Sequence, residues 1–212
     1  MTTVYLIRHS EKYNKSNYLS INTSQNNQLL EEKVILSVNG EKMAESLSNK
    51  EEFNNLDSIY TSNCVRTLQT AKYFIEKSNI RPIIDDRFDE RRIGIPNDKE
   101  YPDWYFRQFK DKDFKTIGGE SVNDTFKRFN EAFKEVIKNN KGKRVAIFTH
   151  GNAMLFFLIN FLDSYKVNDY KNLTFMFKGK KIFQGKINFL DTFKLEVDDK
   201  GNISEIKVIR YE

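Results

Sequence analysis

Short runs of strand length alternate with helical patterns along this chain, and this alternation most constrains its fold. Residues 4–7, 56–60 and 145–149 are short and rich in apolar side chains, which is typical of strands buried within a parallel sheet. Residues 63–77 and 121–139 instead space their apolar side chains at the period of a helix. Strands that alternate with helices predict a three-layer α/β/α sandwich with a mostly parallel central sheet.

Cap and turn signals add further elements. Ser37 and Ser121 stand where a side-chain oxygen is expected to cap the start of a helix. Residues 83–84 predict a short third strand. Residues 187–197 and 203–209 predict two strands joined by Asp-Asp-Lys-Gly-Asn, which is a turn signal. The chain is therefore expected to end in a C-terminal β-hairpin.

One segment does not follow the alternation. Residues 86–118 contain two of the three prolines and the only tryptophan, among clusters of charged and aromatic residues. Long segments outside the core of a compact domain are often functional. We therefore expect a single domain over residues 1–212, with an irregular lid or inserted lobe at about 86–118.

The charge of the chain excludes one class of partner. The formal net charge is +5, from 35 basic and 30 acidic residues that are spread along the whole sequence. A nucleic-acid-binding protein usually clusters its basic residues on one face. We therefore expect no nucleic-acid partner, whereas a small anionic substrate would be attracted to a positively lined cleft.

Cysteine, histidine and hydropathy patterns exclude other classes. Cys64 is the only cysteine, so an intramolecular disulfide is excluded, and two histidines without a cysteine cluster predict no zinc site. Residues 4–7 are too short for a signal peptide, and Arg8 ends them. Residues 153–162 are too short to cross a bilayer and predict a buried helix. We expect a soluble, cytoplasmic protein with no membrane partner; the sequence indicates no oligomeric state.

The only two histidines, His9 and His150, each end an apolar strand. In parallel-sheet folds the carboxyl ends of the strands open onto a shared crevice where ligands bind. Either histidine alone would be explained as a hydrogen-bonded residue at a strand end. Both together, with Arg8 before one of them, indicate a site of chemistry.

The residues around this site suit phosphoryl transfer. A neutral imidazole such as that of His9 can act as a nucleophile, and the guanidinium of Arg8 can bind phosphate in a fork. Arg66 stands at the start of the helix after the second strand, where the helix dipole favours an anion. Glu90 follows the third strand and could protonate a leaving oxygen. The adjacent Asp89 could compete for that role.

At this point the chain resembles the histidine phosphatase superfamily, in its phosphoglycerate mutase-like branch. The resemblance spans about residues 2–195, and its motifs are Arg8-His9, residues 62–71 with Arg66, Gly118-Gly119-Glu120-Ser121 and His150-Gly151. It implies that His9 is the phosphorylated nucleophile and that Glu90 is the proton donor. It also implies a phosphate pocket formed by Arg8, Arg66 and His150, with no metal and no cofactor.

Several positions depart from the pattern of the family. Ser10 stands where the family usually has glycine after the nucleophilic histidine. A one-residue deletion would align Tyr13-Asn14 with the family's Trp-Asn, which makes Asn14 an expected phosphate contact. Ile93 stands where the true mutases carry tyrosine. The core chemistry is unaffected, so these departures concern the choice of substrate.

Three hypotheses about function follow. The first is a metal-independent phosphatase that hydrolyses a phosphomonoester through a phosphohistidine on His9. The second is a phosphoglycerate mutase, which would return the phosphoryl group to another hydroxyl, and the third is a non-catalytic protein that binds phosphorylated ligands. The short chain and Ile93 favour hydrolysis. Arg91, with the basic and aromatic residues of the 86–118 segment, is expected to bind the substrate, which could be a sugar phosphate, a nucleotide or a phosphopeptide.

Overall fold

The computed structural model describes residues 1–13, 27–95, 103–168 and 172–211. Its helices are α1 (Asn27–Lys33), α2 (Val38–Ser48), α3 (Val65–Ser78), α4 (Trp104–Lys110), α5 (Val122–Asn139) and α6 (Gly151–Leu158). Its strands are β1 (Thr2–Arg8), β2 (Ser58–Thr61), β3 (Ile83–Ile84), β4 (Arg144–Thr149), β5 (Ser164–Val167), β6 (Leu173–Phe177), β7 (Lys180–Gly185), β8 (Thr192–Val197) and β9 (Ile203–Ile209). The expected alternation of strands and helices is confirmed.

The central sheet has the strand order β3-β2-β4-β1-β8-β9. Strands β1 and β2 each pair parallel with β4, and β3 pairs parallel with β2. At the other edge, β8 pairs antiparallel with β1 and β9 pairs antiparallel with β8. The mostly parallel sheet and the C-terminal hairpin are therefore confirmed. In the register of β1 with β4, Arg8 lies opposite Thr149, so the residues that follow both strands leave the sheet side by side.

Strand β1 shows why the domain has three layers. Its side chains alternate between the two faces of the sheet because successive Cβ atoms of a strand point to opposite sides. Val4 and Leu6 pack into a cluster with buried side chains of α5 and α6. Tyr5 and Ile7 pack into a second cluster with side chains of α2 and α3. Each face of the sheet is thus covered by one layer of helices.

The two helix caps predicted from the sequence, Ser37 and Ser121, are present at the starts of α2 and α5. Ser37 Oγ accepts a hydrogen bond of 2.8 Å from the N–H of Gly40 at the start of α2. Ser121 Oγ accepts from the N–H of Asp124, and the Asp124 carboxylate accepts from the N–H of Ser121, at the start of α5. This reciprocal pair is a capping box, with aspartate in place of glutamate.

The structure corrects the predicted elements near the C-terminus. Strands β5, β6 and β7 form a separate antiparallel sheet, which the sequence pattern did not predict. The prediction of a strand beginning at residue 187 was wrong, since β8 begins at Thr192. Leu190 has a left-handed backbone with φ of 63°, and the Asp191 carboxylate accepts from the N–H of Asn188. This local turn is incompatible with an extended strand.

The 86–118 segment is more ordered than expected within its described part. It contains a 3₁₀ turn at Asp86–Phe88, the helix α4, and an antiparallel bridge between Ile95 and Ile117. Its function as a lid stays a prediction. Across the described part of the chain, none of the helices has both the length and the apolar character needed to cross a membrane.

Phe157 on α6 gives a test of the core. It is fully buried, and its ring centroid lies 4.7 Å from that of Phe129 and 4.8 Å from that of Phe133 on α5. Truncating such a side chain removes apolar contacts and leaves a cavity, so Phe157→Ala should lower the free energy of unfolding by about 3–5 kcal/mol. Urea denaturation measures the change. Ile117→Ala, at a position that is 80% exposed, is the control and should change it by less than about 0.5 kcal/mol.

Candidate active site

The two histidines meet at the carboxyl edge of the central sheet. His9 follows β1 and His150 follows β4, and the N–H of His9 donates to the carbonyl oxygen of Thr149 at 2.9 Å. Both side chains are buried, and their ring centroids lie 5.2 Å apart. The parallel pairing of β1 with β4 therefore brings together two residues that are 141 positions apart in the sequence, from 9 to 150.

A hydrogen bond to the backbone fixes the tautomer of His9. Its Nδ1 lies 2.7 Å from the carbonyl oxygen of Ser10, which can only accept. Nδ1 therefore carries the proton of the neutral ring, and Nε2 carries the lone pair. Burial, together with the positive charges of Arg66 and Arg8, holds the pKa of His9 well below its ordinary value. The ring is thus neutral near pH 7 and has a free nucleophilic nitrogen.

His150 is held in the opposite tautomer. Nη2 of Arg66 donates to His150 Nδ1 at 3.0 Å, because a guanidinium cannot accept. Nε2 then carries the proton and donates to Ser62 Oγ at 2.8 Å. Ser62 Oγ lies 2.8 Å from Thr67 Oγ1, which extends the network into α3. Burial and the charge of Arg66 hold the pKa of His150 well below its ordinary value.

Two guanidinium groups, that of the buried Arg66 and that of the partly buried Arg8, supply the positive charge of the site. Arg66 lies in the first turn of α3, as expected, and Arg8 ends β1. Arg8 Nη1 donates to the carbonyl oxygen of Ile187 at 2.6 Å, and its guanidinium lies 4.5 Å from the ring centroid of Phe189. The Nε atoms of both arginines are buried and have no acceptor among the described residues. Unpaired N–H groups next to like charges favour binding of an anion.

The Glu90 carboxylate lies at the N-terminus of α6. Its Oε1 accepts from the N–H of Ala153 at 3.0 Å and its Oε2 from the N–H of Asn152 at 3.5 Å. His150 occupies the cap position of this helix but makes no side-chain cap bond, so Glu90 supplies that interaction from another loop. Its negative charge also acts on Arg8, where it opposes the lowering of the arginine pKa by burial.

The Asp89 carboxylate lies at the start of a different helix, α3. Its Oδ1 accepts from the N–H of Asn63 at 2.7 Å, just before α3, and burial raises its pKa to about 6. Within the described residues, candidate ligand atoms of Cys64, Asp89 and His150 lie within 4.8 Å of one another. Both ring nitrogens of His150 are already hydrogen-bonded. A metal ion at this cluster would have to displace Arg66 or Ser62 from the ring.

The two remaining candidate residues are placed differently. Arg91 is buried, its Nε donates to the carbonyl oxygen of Glu120, and its guanidinium lies 5.6 Å from the Trp104 ring and 5.7 Å from the Phe156 ring. It thus lies beneath α4 and beside Glu90 rather than against the histidines. Asn14, the other expected phosphate contact, lies outside the described residues.

The structure places Phe189 in the site, a residue that the sequence pattern did not single out. The ring of Phe189 lies 5.7 Å from that of His9 and covers Arg8. The left-handed turn at Leu190 places it there, and no motif signalled this turn.

Ser10, which replaces the usual glycine of the family, is fully buried and donates to the carbonyl oxygen of Gly40 at 2.6 Å. Its hydroxyl thus ties α2 to the end of β1.

The fold and the site together define an α/β protein with two neutral imidazoles and two arginines at one edge of its central sheet. The family model of the histidine phosphatase superfamily (branch 1) matches residues 4–176. The chain therefore belongs to the histidine phosphatase superfamily, as its motifs indicated. A sequence comparison with curated proteins found no match.

Solved structures share the fold at low sequence identity. The mycobacterial glucosyl-3-phosphoglycerate phosphatase in complex with inorganic phosphate is 15% identical, with a TM-score of 0.68 over 99% of this chain and 96% of that chain. YhfR of Bacillus stearothermophilus is 24% identical, with a TM-score of 0.68 over 98% and 96%. The phosphoserine phosphatase of Entamoeba histolytica in complex with 3-phosphoglyceric acid is 17% identical, with a TM-score of 0.66 over 100% and 99%.

The lowered pKa values of the two histidines predict acid-sensitive folding. Below about pH 6.5 the unfolded chain binds protons at these positions that the folded chain does not, so stability falls as the pH falls. Each histidine should contribute a slope of about 1.4 kcal/mol per pH unit between about pH 6 and pH 5. His150→Gln should reduce the total slope by about that amount, as measured by urea denaturation at each pH.

The titration of Asp89 has the opposite effect on stability, but it cancels when the wild type and His150→Gln are compared. The raised pKa of Asp89 makes the folded chain bind a proton below about pH 6, which favours folding as the pH falls. Asp89 is present in both proteins, so it leaves the difference between their slopes unchanged. Equal slopes for the two proteins would mean that His150 is not held neutral in the folded state.

Proposed function

We propose that the protein is a metal-independent phosphatase that hydrolyses a small phosphomonoester through a phosphohistidine on His9. One observation carries the proposal: the hydrogen bond of 2.7 Å from His9 Nδ1 to the Ser10 carbonyl oxygen. It leaves a lone pair on Nε2 of a neutral ring, in a pocket where Arg8 and Arg66 have unpaired N–H groups. A nucleophile beside donors for an oxyanion is the arrangement that in-line phosphoryl transfer requires.

In the first step, His9 Nε2 attacks phosphorus. The N–P bond forms as the bond from phosphorus to the leaving oxygen breaks. Arg8 and Arg66 neutralise the equatorial oxygens, and the neutral His150 donates to one of them when its Nε2 proton turns from Ser62 Oγ to the phosphate. The carboxyl group of Glu90 gives its proton to the leaving oxygen, so an alcohol departs rather than an alkoxide.

In the second step, the Glu90 carboxylate takes a proton from a water molecule whose oxygen attacks the phosphohistidine. The N–P bond breaks, inorganic phosphate forms, and the Nε2 lone pair of His9 is restored. Glu90 regains in this step the proton that it gave in the first, so the two steps balance without a cofactor.

The named structural relatives support hydrolysis of a small, acidic ester. Two of those described above are named as phosphatases, and one of these was solved with inorganic phosphate and the other with 3-phosphoglyceric acid. We infer the same class of ligand for this chain, a phosphate ester of a small alcohol.

Replacing the nucleophile tests the mechanism. His9→Ala should lower phosphate release from p-nitrophenyl phosphate by more than about a thousandfold, because the covalent step is lost. The wild type, quenched during turnover, should carry an acid-labile phosphate that the variant lacks. EDTA should leave the wild-type rate unchanged.

Three results would contradict this proposal. Full activity of His9→Ala would exclude the phosphohistidine, and loss of activity with EDTA would indicate a resident metal. Interconversion of 2- and 3-phosphoglycerate without phosphate release, dependent on a bisphosphate primer, would assign the protein as a mutase.

Arg91 is proposed to bind the leaving group. Its Nη2 is buried and has no acceptor among the described residues, and both amide atoms of Gln108, one turn after Trp104 on α4, are buried and unpaired in the same sense. Buried donors without partners are costly unless a ligand supplies the acceptor. Because Arg91 adjoins Glu90, we infer that it donates to an acidic group on the leaving alcohol.

Arg91→Gln should therefore discriminate between two substrates. The kcat/KM for 3-phosphoglycerate should fall by about 10- to 100-fold, since charged hydrogen bonds contribute about 1.5–3 kcal/mol. The value for phenyl phosphate, which has no second acidic group, should change by less than about threefold. Lys110→Gln, at an exposed cation of α4, is the control. Equal losses on both substrates would contradict a contact to the leaving group.

A further inference from the structure

Arg128 on α5 uses its whole guanidinium to hold the loop that carries Glu90. Its Nε donates to Glu120 Oε1 at 2.7 Å, and its Nη2 donates to Glu120 Oε2 at 2.9 Å. Its Nη1 donates to the carbonyl oxygens of Arg87 and Asp89 at 2.8 and 2.9 Å, and its Nη2 also donates to that of Glu90 at 3.2 Å. These five hydrogen bonds match the five N–H donors of arginine.

Glu120 holds the other side of the same loop. Its Oε2 accepts from the N–H of Arg92 at 2.9 Å, in addition to its bonds with Arg128. Its own N–H donates to the carbonyl oxygen of Arg92 at 2.8 Å, and its carbonyl oxygen accepts from Arg91 Nε at 2.9 Å. The backbone is therefore tied down both before and after Glu90.

This support is needed because Glu90 lies in no helix or strand, between the 3₁₀ turn at Asp86–Phe88 and the bridge at Ile95. Its carboxylate must reach across to the N–H of Ala153, beside His150. A proton donor works only within hydrogen-bond reach of the leaving oxygen, and small displacements cost much of the rate. Whatever fixes the Glu90 backbone thus sets the efficiency of proton transfer.

We propose that the Arg128–Glu120 pair is a positioning device that holds Glu90 in place to protonate the leaving group. The proposal rests on the function proposed above. The pair is well suited to this task because it is largely buried, with side-chain exposures of 18% and 9%, and because the bidentate geometry fixes the orientation of the guanidinium. Burial alone would raise the pKa of Glu120, but the hydrogen bonds and charge of Arg128 lower it, so the pair stays ionised.

The test compares two leaving groups. p-Nitrophenolate departs without a proton, whereas the alkoxide of glycerol 2-phosphate needs one. Glu90→Gln, which lacks the acid, should lose at least about a hundredfold in kcat/KM on the glycerol ester and far less on p-nitrophenyl phosphate. Arg128→Lys and Glu120→Gln should show the same selective loss at a smaller size, about 10- to 30-fold against less than threefold.

The ratio of the two rates is the decisive quantity. Both substrates are assayed in the same sample, so a partly unfolded variant lowers both rates equally and leaves the ratio unchanged. Glu135→Gln is the matched control, because it removes a carboxylate on α5 that pairs with Arg87 of the same loop at the surface. It should leave both rates and their ratio as in the wild type.

The outcomes separate this proposal from the function itself. An unchanged ratio in Arg128→Lys and Glu120→Gln, with or without a general loss of rate, would overturn the positioning role while leaving the phosphatase proposal intact. A wild-type protein that releases phosphate from neither ester would overturn the proposed function.

Discussion

The site depends on placing a buried and a partly buried arginine beside two buried imidazoles at one edge of a mostly parallel sheet. Positive charge in a desolvated pocket disfavours a further proton on either ring, so His9 and His150 remain neutral. The same crowding is unfavourable while the Nε–H groups of Arg8 and Arg66 lack acceptors. In the function proposed above, an incoming phosphate would relieve that repulsion and meet donors that are already oriented. One electrostatic arrangement would then both prepare the proposed nucleophile and attract the ligand.

Hydrogen bonds around the two rings decide which nitrogen of each ring carries the proton. The Ser10 carbonyl oxygen and Arg66 select opposite tautomers for the two rings, although both rings are equally buried. Ser62 and Thr67 continue the network into α3. Ser10 and Ser62 are in place for these contacts because each lies within two residues of the end of a strand, β1 and β2 respectively. The rigid core beneath, with β1 packed by helices on both faces, keeps them in register.

The sequence predicted those features that a local pattern encodes. The alternation of strands and helices, the caps at Ser37 and Ser121, and the C-terminal hairpin are confirmed, since each depends on side chains within a few residues. The β5–β7 sheet was missed although its middle strand is apolar, because its two outer strands are short and rich in polar, exposed residues. The prediction of a strand from residue 187 was wrong because the backbone turns at Leu190, where φ is positive. Glycine usually signals such a turn, but here the residue is leucine. The support of Glu90 by Arg128 depends on residues 38 positions apart, which no motif joins. The cytoplasmic location stays a prediction.

Position rather than proton affinity is the reason why we propose Glu90, and not Asp89, as the acid. Burial raises the pKa of Asp89 to about 6, which by itself would suit a proton donor near neutral pH. Its carboxylate, however, accepts from the N–H of Asn63 just before α3, and Glu90 rather than Asp89 is the neighbouring carboxylate whose charge raises the pKa of Arg8. Glu90 acts directly on Arg8 and lies at the N-terminus of the helix that His150 caps. Because a proton can be delivered only over hydrogen-bond distance, we propose as the acid the carboxyl group whose charge acts on Arg8, the residue before the proposed nucleophile.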